Sequence, residues 1–542
     1  MPRIESLLSA RLFLAPQLAA DRLFFVGNIS GHLSLYAMDA REGGSVPEPL
    51  LPPHIALQNP ELVDGLLYQV FPKLGRILVM LDRDGDENYQ PMLIPLGGGF
   101  PEPAFGDHFA DYRVHASHAD IERGVVYIEA ESRKEALSTA YRGNLKTGKL
   151  DMLGQSKWGG AVDGANASRT KAILTDGYTS GDNVLYLWRK GGGERQLLYG
   201  KPMEQRAEGE TVPLNSINAC CFTPRDRGLL FTTSLFDDAY GLGYLDLKHP
   251  QAVKPVAITG KVHRGAGELE SLEHLTGSRY LVGYNIDGCS WRYEGTFDET
   301  KLKMKLEAVI CGQGELSNGK LDHIHYEKAS GRYALSFSTA TSPTQLYTIT
   351  GKKEKRAQAH TRERTLGVAQ KLLSRGEDAS FVSFDGTRVS ARLYLPAKSL
   401  GFEGARPLVY YVHGGPQSQE RPDFSWFSMP LIQFLTLTGF AVFVPNARGS
   451  TGYGLNYTKQ VDRDWGGKDR LDHVHAMKIL AGDKRVDAKR AGVVGRSYGG
   501  YMTLTLASRH PELWSAAVDM FGPYDLFTFM DRIPETWKPY FA

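Results

Sequence analysis

Cysteine is scarce in this chain: Cys220, Cys221, Cys289 and Cys311 are the only four in 542 residues. None has the spacing of paired metal ligands, and so few exclude a disulfide scaffold and point to a reducing compartment, read here as the cytoplasm. Long hydrophobic runs are also missing. No stretch of about 18 apolar residues occurs, so no membrane span is expected. The start, Met1-Pro2-Arg3-Ile4-Glu5, carries an acid, and Arg11 interrupts the nearby apolar stretch, unlike a secretory signal. Charge of one sign is lacking too. The net charge is +2, so neither a nucleic-acid partner nor a membrane partner is expected. The triple glycines Gly97–Gly99 and Gly191–Gly193 have no following Lys-Ser/Thr, which excludes a phosphate loop and leaves hairpin punctuation. The acidic run Asp82-Arg83-Asp84-Gly85-Asp86-Glu87-Asn88 lacks the sixth-place glycine and the twelfth-place glutamate of a calcium loop, Leu93 standing at the latter, and reads as a hairpin turn. No metal and no cofactor is expected.

What the chain does have is Gly495-Arg496-Ser497-Tyr498-Gly499. The apolar run Arg490–Gly495 precedes it and the helix-length stretch Gly500–Ser508 follows it. Strand, tight turn and helix form the setting of a nucleophilic serine. Gly495 and Gly499 are needed because a sharp turn at the serine leaves no room for side chains two residues away. Two further strand-type runs, Pro407–Val412 and Phe440–Pro445, lead into His413-Gly414-Gly415-Pro416 and into Asn446 through Gly454. Alternating strands and helices imply a mostly parallel sheet covered on both faces. The N–H groups of Gly415 and Tyr498 are the expected oxyanion donors, and His413 reads as a buried structural histidine. In hydrolases of this type the order along the chain is serine, acid, histidine. After Ser497 there is one histidine, His510, at an expected helix end.

These pieces resemble the prolyl oligopeptidase family of serine peptidases, and most of all its acylaminoacyl-peptidase and dipeptidyl-aminopeptidase-like members. The resemblance rests on Ser383-Phe384-Asp385-Gly386-Thr387, His413–Pro416, Asn446–Gly454, Trp465-Gly466-Gly467 and Gly495–Met502, in the family's order. It implies Ser497 as nucleophile and Gly415 and Tyr498 as the oxyanion hole. It also implies a catalytic Asp and His that would lie beyond residue 542, so a chain of this length is expected to be truncated, inactive and poorly soluble, with an exposed sheet edge. Asp525 is a weaker candidate for the acid. The activity implied is hydrolysis of short peptides through an acyl-enzyme. Rival readings are a small-ester esterase of the same fold and a non-catalytic propeller scaffold.

The amino-terminal two thirds have another texture. Seven β-type runs begin at Arg22, Arg76, Gly124, Lys171, Gly228, Arg279 and Arg332, and most are followed by a second, aromatic-rich run such as Leu33–Tyr36, Val184–Trp188, Leu242–Leu245 and Gln345–Ile349. A period of roughly 50 residues predicts a propeller of seven small antiparallel blades; stacked β domains or a sandwich are the alternative. The acidic-aromatic stretch Trp291-Arg292-Tyr293-Glu294 reads as blade packing. The polar, basic segment from Lys352 to Arg364 reads as a solvated crossover. The expected fold is therefore mixed, a seven-bladed β-propeller followed by an α/β-hydrolase domain that is incomplete at its carboxy-terminal end. The expected spans are 1–355 for the propeller, 356–382 for a linker containing a short helix over Leu366–Leu373, and 383–542 for the hydrolase domain. Oligomeric state is not legible.

Overall fold

The computed structural model describes residues 3–41, 43–351, 355–424 and 428–541. Seven four-stranded antiparallel blades follow one another over residues 13–49, 68–103, 112–156, 159–199, 218–259, 267–311 and 319–359. In each blade the second strand is one of the apolar runs read from the sequence: Arg22–Gly27, Arg76–Leu81, Val125–Ser132, Lys171–Thr179, Gly228–Thr233, Arg279–Ile286 and Arg332–Thr339. These strands are buried on both faces because neighbouring blades stack on them. Leu23, Phe24, Phe25 and Val26 of the first blade illustrate this, all within 1% of full burial. The fifth and sixth blades share more than a packed face. Their outer strands, Val253–Thr259 and Lys303–Cys311, pair in parallel and join the two blades into one eight-stranded sheet. The stretches Asp82–Asn88, Gly97–Gly99 and Gly191–Gly193 all fall between consecutive blade strands.

Among the described residues no strand is exchanged to close the ring, since every blade is built from consecutive strands. The first blade meets the seventh through the inner strands Phe13–Ala19 and Gly319–Glu327. Three side chains from one face of the latter strand accept backbone N–H groups of the first blade. Ala15 N–H donates to His323 Nδ1 at 3.3 Å, Leu18 N–H to His325 Nδ1 at 3.2 Å and Ala20 N–H to Glu327 Oε1 at 3.0 Å. Arg332 adds an ion pair to Asp21 at 2.7 Å. An imidazole nitrogen can accept only while it is unprotonated.

Two corrections to the expected spans follow. The seventh blade is completed by Arg356–Ala359, inside the segment read as linker, and the hydrolase sheet already begins with Glu377–Asp378, which pairs with Arg388–Tyr394. Backbone pairing at a sheet edge overrides the polar composition there. In place of the short helix over Leu366–Leu373 there is a single turn, Gln370–Leu372. Lys352, Lys353 and Glu354 of the basic run lie outside the described residues. At the other end, the short helix Glu5–Leu8 leaves the propeller, and Leu7 and Ala10 join Tyr411, Met429 and Ile432 in the hydrolase core.

The hydrolase sheet runs in the order Glu377–Asp378, Arg388–Tyr394, Ala441–Asn446, Arg406–Val412, Val486–Arg496, Ala516–Met520. The last four strands are parallel to one another. Alternate residues divide between two cores. Leu408, Tyr410, Val412, Phe443 and Val493 face the helices Lys468–Leu480 and Tyr498–Arg509, whereas Tyr411, Val442, Val444 and Val494 face Ser428–Leu437. This two-sided burial is why these strands read as continuous apolar runs. The edge strand Ala516–Met520 is exposed, as are Phe521, Tyr524 and Phe527 after it. Among the described residues, no helix is long and apolar enough to cross a membrane.

The seam between the first and seventh blades carries a pH dependence. Burial pushes both His323 and His325 down to about 4, with Lys320 adding to the effect at His323 and Asp423 opposing it. In the unfolded chain both take up a proton near their ordinary value of about 6.5. Stability is therefore intact above about pH 6.5 and falls as the pH drops toward 4, by up to ~1.4 kcal/mol per pH unit for each histidine. His325→Asn places a non-titrating acceptor near the Nδ1 position. Urea unfolding at a series of pH values should show a slope shallower by one proton in this variant.

Candidate active site

The Val486–Arg496 strand delivers Ser497 to the start of the Tyr498–Arg509 helix. Ser497 has φ 52° and ψ −124°, a conformation costly for a residue with a Cβ, and it is exposed. Its N–H donates to Met520 O at 3.0 Å, which ties the turn to the neighbouring strand. The flanking glycines are sterically required. A Cβ at Gly495 would collide with the backbone of Gly499, and one at Gly499 with the carbonyl oxygens of Val412 and His413. A Cβ at Gly500 would meet Asp519 and the Gly522 backbone. Gly414 lies against the serine itself, since a Cβ there would sit 3.3 Å from Ser497 Cβ. The expected bend is present, and the helix that follows points its N-terminus at the hydroxyl's surroundings, where negative charge is favoured.

Of the two expected oxyanion donors, Gly415 has φ 122° and Tyr498 is the first residue of the helix. Neither N–H takes part in a turn, loop or cap hydrogen bond among the described residues, so both are free to donate elsewhere. Tyr498 is anchored from below. Its hydroxyl donates to Asp469, and its ring packs edge-on against Trp465 and tilted against Tyr501. Burial first, and then the Asp469 charge, drive the Tyr498 phenol far above its ordinary value; burial raises Asp469 as well. The phenol therefore keeps its proton and holds it toward the carboxylate. Trp465-Gly466-Gly467 was legible as a motif, but the partner role of Asp469 was not. Its signal was the spacing of Asp469 and Asp472, which puts both near one face of the same helix.

Asp472 explains the other motifs. Arg448 is 3% exposed, and its guanidinium reaches Asp472 at 2.7–2.8 Å and Asp385 at 2.8–3.0 Å. Ser383 Oγ donates to the same Asp472 at 2.5 Å. Segments distant in sequence, 383–387, 446–454 and 468–480, are thereby locked together under the site. The guanidinium holds Asp385 well below the usual carboxylate range.

His413 is a structural residue. Its Nδ1 lies 2.6 Å from Gly414 O, which must accept, so Nδ1 carries the hydrogen and Nε2 faces Ser450 Oγ at 2.9 Å. Burial lowers its basicity and keeps it neutral. His510 caps the far end of the helix, roughly 20 Å along its axis from Ser497 at 1.5 Å per residue, and pairs with Arg470 and Glu512. Asp525 accepts from the Thr528 hydroxyl at 2.7 Å and from the Phe527 and Thr528 N–H groups at the start of Leu526–Arg532, and these bonds, the hydroxyl's first, hold its carboxyl below its ordinary value. Thus Ser497, Gly414 and Tyr498 lie together, with Gly415 next to Gly414 in the chain, while Asp525 serves as a helix cap. Among the described residues no side chain hydrogen-bonds Ser497 Oγ.

Two cavities lie where the domains meet. One, of about 410 Å³, is lined by His413, Ser418, Arg421 and Arg496 from the hydrolase side and by Lys320 and His323 from the propeller. The other, of about 500 Å³, is lined by Trp158, Asp163 and Tyr240 of the propeller and by Gln417, Thr451 and Leu455. The Gly415–Ser418 loop runs between them. Glu61, Asp322 and Asp423 bring carboxylate oxygens within 4.8 Å of one another, a spacing a cation could use. The Lys320 ammonium supplies that charge, pairing with all three, with Asp423 at 2.7 Å and Asp322 at 3.4 Å.

Breaking the buried network should cost more than weakening its exposed arm. Arg448→Met leaves Asp472 buried and unpaired, and is expected to destabilise the protein by about 3–5 kcal/mol. Asp385→Asn, at the partly exposed end, should cost under ~1 kcal/mol. Thermal melts of the two variants check the ordering.

Comparison with known proteins finds a family match over part of the chain. Residues 425–541 match the model described as the prolyl oligopeptidase family. Dipeptidyl aminopeptidase BIII of Pseudoxanthomonas mexicana is 33% identical over 135 residues, which is 25% of this chain and 19% of that protein. Dipeptidyl-peptidase 5 of Porphyromonas endodontalis is 26% identical over 254 residues, 46% of this chain and 34% of that one. The aligned part thus spans between about a fifth and a third of these relatives' own length. Among solved structures, a puromycin hydrolase superposes with a TM-score of 0.74 at 17% identity, covering 100% of this chain and 82% of that one, a likeness of fold. The carboxy-terminal part of the chain, residues 425–541, is thus similar to the prolyl oligopeptidase family, and the whole chain shares the propeller-plus-hydrolase fold of that solved structure.

Proposed function

We propose that this chain is a serine-type peptidase that hydrolyses short peptides through an acyl-enzyme on Ser497. The single observation that carries the reading is the exposed serine at φ 52°, set at a helix start and against Gly414. In the proposed reaction Ser497 Oγ attacks a peptide carbonyl and passes its proton to a base. The tetrahedral oxyanion is met by the Gly415 and Tyr498 N–H groups, the amine leaves, and water releases the acyl group. One such donor is worth about 3 kcal/mol of transition-state stabilisation.

Restriction to short peptides is supported by the propeller standing over the site and by the size of the two interdomain cavities, each within the ~300–1,000 Å³ of small-ligand sites. The names of the dipeptidyl relatives favour peptide over ester substrates. The rival reading is a non-catalytic propeller scaffold.

A fluorophosphonate probe separates the two. Labelling should map to Ser497, disappear in Ser497→Ala and speed up when free imidazole is added as a proton acceptor. No labelling with or without imidazole would overturn the peptidase reading. Where the serine reacts, turnover of peptide anilides against nitrophenyl esters under the same conditions decides between peptidase and esterase.

A further inference from the structure

The loop from Asn446 to Gly454 is wedged between the propeller and the oxyanion loop. Three of its glycines hold left-handed backbone, Gly449 at φ 97°, Gly452 at φ 97° and Gly454 at φ 99°. Its outer side is held by propeller carboxylates. Glu268 accepts the Gly452 N–H at 3.1 Å and the Gly454 N–H at 2.8 Å, one on each oxygen. Asp238 accepts the Asn456 N–H through Oδ1 at 2.8 Å and the Leu455 N–H through its carbonyl at 3.0 Å. Its inner side is bonded to the loop that carries Gly415. Thr451 N–H donates to Ser418 O at 2.9 Å, Ser450 Oγ meets His413 Nε2 at 2.9 Å, and Asn446 accepts the Glu420 N–H at 2.8 Å and donates to Glu420 O at 3.1 Å. Among the described residues, nothing within the hydrolase domain replaces the four N–H acceptors that the propeller supplies to residues 452–456.

We propose that Glu268 and Asp238 are positioning residues that set the oxyanion loop through the Asn446–Gly454 wedge, so that the hydrolase site is shaped only while the propeller is docked. This rests on the reading of Gly415 as an oxyanion donor. Removing the Glu268 carboxylate leaves two glycine N–H groups without acceptors in a loop of left-handed residues. The loop then relaxes, and the bonds to Ser418, His413 and Glu420 relax with it.

Hydrogen exchange tests this without requiring turnover. Ser418 and Glu420 N–H groups are bonded, to Pro416 O at 2.8 Å and to Asn446 Oδ1 at 2.8 Å, and report on the oxyanion loop. In Glu268→Ala, exchange should rise about tenfold at Gly452 and Gly454 and also at Ser418 and Glu420. Glu268→Gln keeps one oxygen acceptor and should fall between. Arg388→Met removes an exposed interdomain ion pair to Asp287 (3.1 Å) and should leave both segments at the wild-type rate. The inference is overturned if Gly452 and Gly454 speed up while Ser418 and Glu420 do not, if neither pair responds, or if Arg388→Met has the same effect as Glu268→Ala. Should Glu268→Ala unfold, the Glu268→Gln and Arg388→Met comparison decides by the same criteria. An unreactive Ser497 would sink the peptidase reading but leave this exchange result intact.

Discussion

The site depends on a steric permission. Ser497 holds φ 52° in a turn where Gly495 and Gly499 bring backbone to within distances that a single Cβ would block, with Gly414 close against the serine and Gly500 against the Gly522 backbone. The strand delivers the hydroxyl, the helix dipole favours negative charge beside it, and the close approach of Gly414 sets the next loop against it. Each of these effects presupposes that the turn can be made, and none of them makes it. Tyr498 contributes twice to the same turn, by its free N–H and by the phenol that anchors the helix start to Asp469.

Beneath the turn, charge does the joining. Arg448 reads two carboxylates from two distant segments, and Ser383 completes Asp472. A buried guanidinium of this kind adds little net stability over an apolar replacement of the whole network, but it tolerates few geometries. It therefore fixes register, which suits a site whose parts come from separate stretches of chain. The domain interface uses the same device. Arg421 bonds Glu270, Ser290 and the Gly288 carbonyl, and Lys320 gathers Glu61, Asp322 and Asp423. The Arg421 and Arg292 guanidinium groups outweigh the cost of burial at Glu270 and bring it down to about 2. Directional polar contacts thus hold propeller and hydrolase together, joined by a small shared apolar patch in which Leu7 and Ala10 of the amino-terminal segment and Ala340 of the seventh blade pack into the hydrolase core.

In the propeller, the sequence disclosed the second strand of every blade and the third strand of several. These strands are sandwiched between blades and so consist of apolar and aromatic residues. The first strands line the inside of the ring and carry Gln17, His115 and His323, which break any simple pattern. Three of the fourth strands, Glu48–Pro49, Glu102–Pro103 and Arg356–Ala359, are short and exposed, and nothing in the composition of the last one marks it as a strand. In the hydrolase domain the elbow, the Gly414–Gly415 loop and the mostly parallel character of the sheet were legible, since glycine placement and apolar runs are local signals, whereas the strand order was not. The family motifs could be recognised as strings, but their reason, the shared bonds of Arg448 and Asp472, lies between segments.

The sequence alone determined the repeat, the change from antiparallel to parallel texture near residue 380 and the sharp turn at Ser497, because backbone sterics and strand burial act over a few neighbouring residues. Tertiary structure decided that His413 bonds Ser450, that Asp525 caps a helix, that His323 and His325 close the ring, and that Glu268 grips a loop nearly 190 residues away. A lone histidine or carboxylate has several possible partners of equal chemistry. Only the packing of one domain on another selects among them.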